Sequence, residues 1–124
     1  MATIPKLLVI DDQEEVLTSI RNYLTKKNYI VVTASNGLDG LKLFDATKDG
    51  FDLVITDLIM PNIGGVALIT IIKKQAPDLP IIAITGYGEQ PESLAIEARA
   101  DVVIEKPFKL EKLDDIIQRL LAKL

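Results

Sequence analysis

The segment FDLVITDLIMP, residues 51–61, decides the fold of this chain, because an apolar run ends there in one carboxylate and then breaks at a proline. The run is rich in β-branched residues and has no helical spacing, which predicts a strand buried on both faces of a parallel sheet. Asp57 then lies where this strand leaves the sheet. An unpaired ionised carboxylate in such a dry place is costly, so either a cation holds Asp57 or its charge is functional.

Polar side chains also end three other apolar runs. The run at 7–10 is followed by Asp11 and Asp12, and two later runs end at Thr85 and Lys106. In open parallel sheets, ligands bind outside the carboxyl ends of the strands, where the strand order reverses. If the first and third strands are neighbours there, the acid pair converges with the carboxylate of the central strand.

Length and composition indicate one globular domain. The chain has 124 residues, of which 48% are hydrophobic and 26% are charged, and this is ordinary usage for a domain with a sizeable core. The net charge is −4 and no block of basic residues is present, which argues against nucleic acid or an anionic membrane as a direct partner. We therefore expect a single domain over residues 1–124.

The absence of two residue types excludes several chemistries. Without cysteine the chain has no disulfide and no thiol catalysis, and without histidine it lacks the usual general base and any Ser-His-Asp arrangement. The apolar runs are too short to span a bilayer, and the acid pair interrupts the N-terminal run that a signal peptide would need. We expect a cytoplasmic protein whose chemistry rests on carboxylates, hydroxyls and lysines.

Strand and helix patterns alternate five times, which predicts an α/β fold with a parallel sheet and helices on both faces. Asp12 followed by Glu15 resembles a capping box at the start of the first helix. Leu38, Leu41 and Phe44 are expected on the inner face of the second helix. The strands are predicted at 6–10, 29–34, the central run, 81–85 and 102–104, with a loop at 86–91, a weakly patterned helix at 92–98, and a last helix whose apolar stripe runs from residue 110 to 124.

Three carboxylates around one cleft repel one another, and a hard divalent cation with oxygen ligands relieves that repulsion. Mg²⁺ takes one or two carboxylates and keeps water ligands that a phosphate can replace. In such a site Asp57 is a carboxylate nucleophile, Lys106 a positive charge on phosphoryl oxygens, and Thr85 a hydroxyl donor to one of them. No general base is needed, because the carboxylate is ionised at neutral pH.

Taken one at a time, these residues have structural explanations. Asp12 is a good helix N-cap, Asp11 a strand-end turn residue, Thr85 a strand former, and Lys106 a solvated surface lysine. The glycines at 86 and 88 do not make a phosphate loop, because Pro91 occupies the place of the last glycine in that motif. It is the joint placement at four strand ends that is specific.

The whole chain resembles the receiver domain of the two-component response regulators. Asp57 matches the family's phosphoacceptor, Thr85 its switch hydroxyl, and Gly65 the glycine after its proline loop. The remaining matches are the acidic pair Asp11-Asp12 and Lys106-Pro107-Phe108, in which a usually cis peptide bond follows the family's lysine. The resemblance implies a doubly wound, flavodoxin-like five-stranded sheet of order 2-1-3-4-5.

The resemblance also implies a function. Mg²⁺ would bind to Asp11, Asp12, Asp57 and the backbone carbonyl of Ile59. Asp57 would take a phosphoryl group from the phosphohistidine of a sensor histidine kinase or phosphotransfer protein, which agrees with the absence of histidine from this chain. The domain would not be a multiple-turnover enzyme. It would control a downstream effector, or form a homodimer, through the face made by the weak helix, the fifth strand and the last helix.

The sequence departs from the family pattern at two places. Val103 stands three residues before the lysine, where receivers usually carry Tyr or Phe as a rotamer switch. The glycine that usually precedes the fifth strand is replaced at Arg99 or Ala100. The chain ends after its last helix, and we expect residues 1–124 to be a receiver domain with no effector domain present, either a stand-alone receiver or one cut from a larger regulator.

Two other functions use the same features. A phosphatase of the haloacid dehalogenase type also uses an aspartate at a strand end, but it needs a second aspartate two residues later, where Ile59 stands. A protein-binding module could keep this fold without being phosphorylated. The intact acid pair, acceptor, hydroxyl and lysine argue against that alternative.

Overall fold

Five parallel strands form a single sheet in the order β2-β1-β3-β4-β5. The computed structural model describes residues 3–86 and 98–123. The strand order reverses between β1 and β3, as expected for the doubly wound, flavodoxin-like fold, and confirms the predicted fold class. The strands are β1 Lys6–Ile10, β2 Ile30–Ala34, β3 Leu53–Asp57, β4 Ile81–Thr85 and β5 Val102–Glu105, and the described helices are α1 Glu14–Lys26, α2 Gly37–Ala46, α3 Gly65–Gln75 and the last helix, Leu110–Ala122.

Helices cover both faces of the sheet and enclose two apolar cores. On one face, strand residues such as Val54 and Ile81 pack with α2 and α3. On the other face, residues such as Ile55 and Ile82 pack with α1 and the last helix. Every residue of β3 and β4 is buried, whereas β2 and β5 at the edges are partly exposed. The prediction that β3 is buried on both faces is therefore confirmed, and it explains the continuous apolar run.

The predicted inner face of α2 is wrong in one residue. Leu38 is 48% exposed, whereas Leu41 and Phe44 pack against the sheet. Gly40 faces the sheet instead, because a Cβ atom there would lie 2.5 Å from the side chain of Ile10. Leu38 precedes Gly40 by two residues, about 200° around the helix, and so lies on the opposite side.

The predicted capping box at the start of α1 is also wrong. The helix begins at Glu14, so its N-cap is Gln13 rather than Asp12, and the side chain of Gln13 makes no capping hydrogen bond. The backbone N–H of Gln13 instead donates a hydrogen bond of 2.8 Å to Oδ1 of Asp11. The preceding carboxylate therefore fixes the turn from β1 into α1.

Part of the predicted 86–91 loop and 92–98 helix falls on residues 87–97, which lie outside the described residues. Within the described ranges, no helix has the length and apolar character needed to cross a membrane.

Candidate functional site

The strand register brings the predicted site residues to one edge of the sheet. Ile10 of β1 lies beside Thr56 of β3, so the residues that follow each of them are neighbours. Asp57 in turn lies beside Ile84 of β4, and the pairing of β4 with β5 continues to the last residue of each strand. Asp11, Asp57, Thr85 and Lys106 therefore meet at the carboxyl ends of four adjacent strands.

Three carboxylates form the acidic part of the site. One oxygen each from Asp11, Asp12 and Asp57 can be chosen so that all three lie within 4.8 Å of one another. Asp11 and Asp57 are buried, whereas Asp12 is exposed. The structure thus brings together the three acids that the sequence places after two different strands. Their mutual repulsion is strong where water is excluded.

Lys106 brings a positive charge to the buried acids. Its Nζ lies 3.3 Å from Oδ2 of Asp57 and 3.2 Å from Oδ2 of Asp11. Burial alone would lower the pKa of Lys106, but the carboxylates of Asp11 and Asp57 outweigh it and raise the pKa above its ordinary value. Lys106 is therefore a permanent cation at neutral pH, directed at the carboxylate of Asp57.

The carboxylate of Asp57 is held on both of its oxygens. Oδ1 accepts a hydrogen bond of 3.2 Å from the backbone N–H of Ile59, and Oδ2 accepts one from Lys106. Burial, followed by repulsion from Asp11, nevertheless raises the pKa of Asp57, because Lys106 and the Ile59 N–H oppose this rise without cancelling it. The ionised form of Asp57 is destabilised by the fold itself, as expected of a functional carboxylate.

Asp11 shows that the site suits a cation. Its side chain is fully buried, and among the described residues Oδ2 has no well-aligned hydrogen-bond donor. Nζ of Lys106 lies 3.2 Å from this oxygen, which is close enough for an ion pair. A buried carboxylate with one incompletely satisfied oxygen favours a further cation. The three carboxylates of the cluster are the hard oxygen donors that Mg²⁺ prefers.

The turn after β3 depends on close backbone packing by Gly65. Its N–H donates a hydrogen bond of 2.9 Å to the carbonyl of Leu58. A Cβ atom at this position would lie 2.1 Å from the carbonyl oxygen of Asp57 and 2.7 Å from Cα of Leu58. The start of α3 can approach the site this closely only because residue 65 lacks a side chain.

Thr85 and Lys106 are tied together through the backbone. The N–H of Lys106 donates a hydrogen bond of 2.8 Å to the carbonyl of Thr85, and the Lys106–Pro107 peptide bond is cis, as the resemblance predicts. The Thr85 side chain is buried beside the site. The side chain of Ile59 is 53% exposed. The roles predicted for the Thr85 hydroxyl and the Ile59 carbonyl remain predictions.

Sequence reasoning missed one residue of the site. Oε1 of Gln13 accepts a hydrogen bond of 2.7 Å from Nζ of Lys106. The two residues are 93 positions apart in the chain, so local sequence patterns gave no signal for this contact.

Polar contacts of two other residues, Lys73 and Tyr29, lie away from the site. Nζ of the buried Lys73 contacts Asp101 and the carbonyl of Leu79, at 2.8 and 2.7 Å. The hydroxyl of Tyr29 donates a hydrogen bond of 2.7 Å to Asp114 on the last helix. Both join elements of the scaffold.

Comparison with known proteins agrees with this geometry. Residues 7–118 match the family model of the response regulator receiver domain. The chain is 34% identical over 119 residues to the probable transcriptional regulator ycf27 of Cyanidium caldarium, covering 95% of this chain and 47% of that protein. It is 29% identical over 119 residues to the alkaline phosphatase synthesis transcriptional regulatory protein PhoP of Bacillus subtilis, covering 95% of this chain and 49% of that protein. The chain thus spans about half the length of these relatives.

Among solved structures, the chain is similar to a response regulator receiver domain protein from Clostridium thermocellum, with a TM-score of 0.90 and 32% identity over 97% of this chain and 96% of that one. The register, the acidic cluster and the lysine agree with this likeness in fold and sequence. The chain belongs to the response regulator receiver domain family of two-component systems.

Proposed function

We propose that Asp57 accepts a phosphoryl group, in a Mg²⁺-dependent reaction, from the phosphohistidine of a sensor histidine kinase or phosphotransfer protein. The observation that carries this proposal is the position of the Asp57 carboxylate, which lies in one cluster with the acid pair and 3.3 Å from the ammonium group of Lys106. A buried carboxylate beside both cation-binding acids and an ammonium group is suited to attack phosphorus, because positive charge near it can balance the charge of the transferred group.

The transfer is a displacement at phosphorus. A carboxylate oxygen of Asp57 forms the new P–O bond while the P–N bond to the donor histidine breaks, and the electron pair of that bond goes to the imidazole nitrogen. Asp57 needs no general base, because the attacking group is already a carboxylate. The Ile59 N–H and Lys106 hold its two oxygens beforehand, which lowers the entropic cost of reaching the reactive geometry.

The acid pair and Asp57 fit a magnesium site. Asp11, Asp12 and Asp57 would hold the ion, together with the backbone carbonyl of Ile59. Bound Mg²⁺ would supply positive charge that offsets both the carboxylates and the phosphoryl oxygens. Lys106 would neutralise phosphoryl oxygens, and the Thr85 hydroxyl would donate a hydrogen bond to one of them.

Output would follow from a change in the surface around β5 and the last helix. Moving a two-state population from 1:99 to 99:1 takes about 5.5 kcal/mol, whereas one hydrogen bond to a charged group supplies roughly 1.5–3 kcal/mol. Val103 is a half-buried residue packed against the core on the α2–α3 side, and it offers no aromatic rotor. Phosphorylation alone would therefore shift the population in part, and a bound effector or a second copy on this face would complete the change.

The test uses the purified chain, Mg²⁺ and a small phosphodonor such as acetyl phosphate, followed by intact-mass measurement. We expect one phosphoryl adduct in the wild type and none in Asp57→Asn or after chelation of the metal. The Asp12→Ala variant keeps the nucleophile, and we expect it to need more Mg²⁺ for the same yield. No adduct would favour a phosphorylation-independent binding module, and sustained release of phosphate over many turnovers would favour a phosphatase.

A further inference from the structure

Gln13 makes the shortest contact of the Lys106 ammonium group among the described residues. Its Oε1 lies 2.7 Å from Nζ, compared with 3.3 Å for Oδ2 of Asp57 and 3.2 Å for Oδ2 of Asp11. An ammonium group can only donate hydrogen bonds, so the oxygen of the Gln13 amide must be the atom that faces it. Lys106 is thus held by one neutral acceptor on α1 in addition to the two acids.

The position of Gln13 in the helix makes this contact informative. It is the N-cap residue of α1, and its side chain makes no capping hydrogen bond. Short polar residues are strongly preferred at this position because they cap the first turn, and glutamine is not among them. The side chain instead reaches Lys106 across the site. A residue that leaves a local structural need unmet while contacting a functional group is a candidate for a functional role.

Gln13 also contacts the acidic part of the site through its backbone. Its N–H donates a hydrogen bond of 2.8 Å to Oδ1 of Asp11. One residue therefore orients both the buried acid of the pair and the lysine that faces the nucleophile.

We propose that Gln13 is a positioning residue that holds the Lys106 ammonium group beside the carboxylate of Asp57, ready for the phosphoryl group. This inference rests on the proposed function of Asp57. When the carboxylate becomes an acyl phosphate, the N–H of Lys106 that faces Asp57 turns to a phosphoryl oxygen. Gln13 remains as the hydrogen-bonded anchor, so that Nζ need not be repositioned during the transfer.

The first experiment measures how fast Asp57 is phosphorylated at increasing acetyl phosphate and saturating Mg²⁺. Gln13→Ala removes the side-chain acceptor but keeps the backbone N–H to Asp11. We expect its maximal rate constant to fall by about threefold to tenfold, as for the loss of one solvent-exposed hydrogen bond to a charged group. The half-saturating concentration of the donor should stay unchanged, as should that of Mg²⁺ in a separate titration of the metal. Gln13→Glu, which keeps an oxygen at the same distance, should restore most of the rate.

Two controls separate positioning from a general structural effect. Gln75→Ala replaces an exposed glutamine at the last residue of α3, and we expect it to match the wild type. In a Lys106→Ala background, Gln13→Ala should cause no further loss, because its effect passes through the lysine. Equal losses with and without the lysine would contradict the proposal.

The second experiment does not depend on phosphorylation. In nitrogen-15 NMR of the metal-free protein, assigned with Lys106→Ala, the Lys106 ammonium protons should exchange slowly with water in the wild type and in Gln13→Glu. They should exchange faster in Gln13→Ala. A normal rate and unchanged exchange in Gln13→Ala would overturn the inference and leave the proposed function standing. If the wild type takes no phosphoryl group, the proposed function is refuted. The positioning role of Gln13 is then refuted with it, even if Gln13→Ala speeds the exchange of the Lys106 ammonium protons.

Discussion

Replacing Gly65 by alanine tests how the scaffold positions Asp57. A Cβ atom there would lie 2.1 Å from the Asp57 carbonyl oxygen and 2.7 Å from Leu58 Cα. Ordinary contacts between such atoms are about 3.5 Å, so the start of α3 and the end of β3 must separate by about 1 Å or more. Both groups are backbone and cannot rotate away. We therefore expect a loss at the upper end of the overpacking range, about 3 kcal/mol.

Urea denaturation of Gly65→Ala should show a lower midpoint at an unchanged slope, and thermal melting should fall by about 10 °C for a domain of this size. Below the melting transition, phosphorylation of Asp57 should also be slower, because a displacement of about 1 Å disturbs the reactive geometry.

Gly64→Ala is the matched control for this prediction. Among the described residues, a Cβ atom at Gly64 would meet only the carbonyl oxygen of Leu58, at 3.6 Å, which is an ordinary contact. Gly64 is the N-cap of α3, where alanine is less favourable than glycine, so a loss of about 1 kcal/mol is expected. Equal stability losses in the two variants, or a Gly65→Ala protein as stable as the wild type, would refute the close packing of α3 on the site.

Three further predictions follow from single features of the site and its surroundings. Burial, followed by repulsion from Asp11, raises the pKa of Asp57 above its value in the unfolded chain. The protonated carboxyl group therefore stabilises the folded state fully at pH values below the unfolded pKa. This stabilisation is lost as the pH rises through the folded pKa. Metal-free Asp57→Asn should accordingly unfold at higher urea than the wild type at pH 7, and this difference should shrink as the pH falls to about 4. Arg99 has a φ of 77°, a backbone conformation that is strained for a residue with a side chain. Arg99→Gly should therefore raise the free energy of unfolding by about 0.5–1 kcal/mol in urea denaturation, whereas Ala100→Gly at the neighbouring position should lower it. Ile59 is exposed beside the acceptor, and Ile59→Asn should shorten the lifetime of the phosphoryl adduct several-fold, because an amide can orient an attacking water; an unchanged decay rate of the intact-mass signal would show that this residue does not control water.

The strands and the acids could be predicted because their signals are local. A continuous β-branched run indicates a strand buried on both faces, and β3 and β4 are buried throughout. Polar residues directly after such runs must lie at the carboxyl edge of a parallel sheet. For this reason the sequence alone predicts that Asp11, Asp57 and Lys106 lie close together.

The errors arose where packing overrides a local rule. The apolar spacing of α2 predicts an inner face that includes Leu38, but Gly40 is the residue that lies against Ile10. A search for apolar residues does not include glycine and therefore misses this contact. Asp12 satisfies the sequence rule for an N-cap, yet the helix starts at Glu14 and its N-cap is Gln13. The carboxylate of Asp11 accepts a hydrogen bond from the backbone N–H of Gln13 in this turn.

Long-range polar contacts could not be predicted at all. Lys73, near the end of α3, has the sequence pattern of a solvated lysine, yet it is buried because Asp101 and the carbonyl of Leu79 accept its hydrogen bonds. The contact between Gln13 and Lys106 also joins residues that are far apart in the chain. Each depends on chain segments that meet only after the sheet has formed.

The most direct test of the account is to locate the phosphoryl group on the chain. After incubation with acetyl phosphate and Mg²⁺, borohydride reduction converts a phosphorylated aspartate to homoserine, which peptide mass spectrometry can place at a single residue. We expect homoserine at position 57 alone, and none when the metal is chelated. Homoserine at Asp11 or Asp12, or no modified peptide at all, would contradict it.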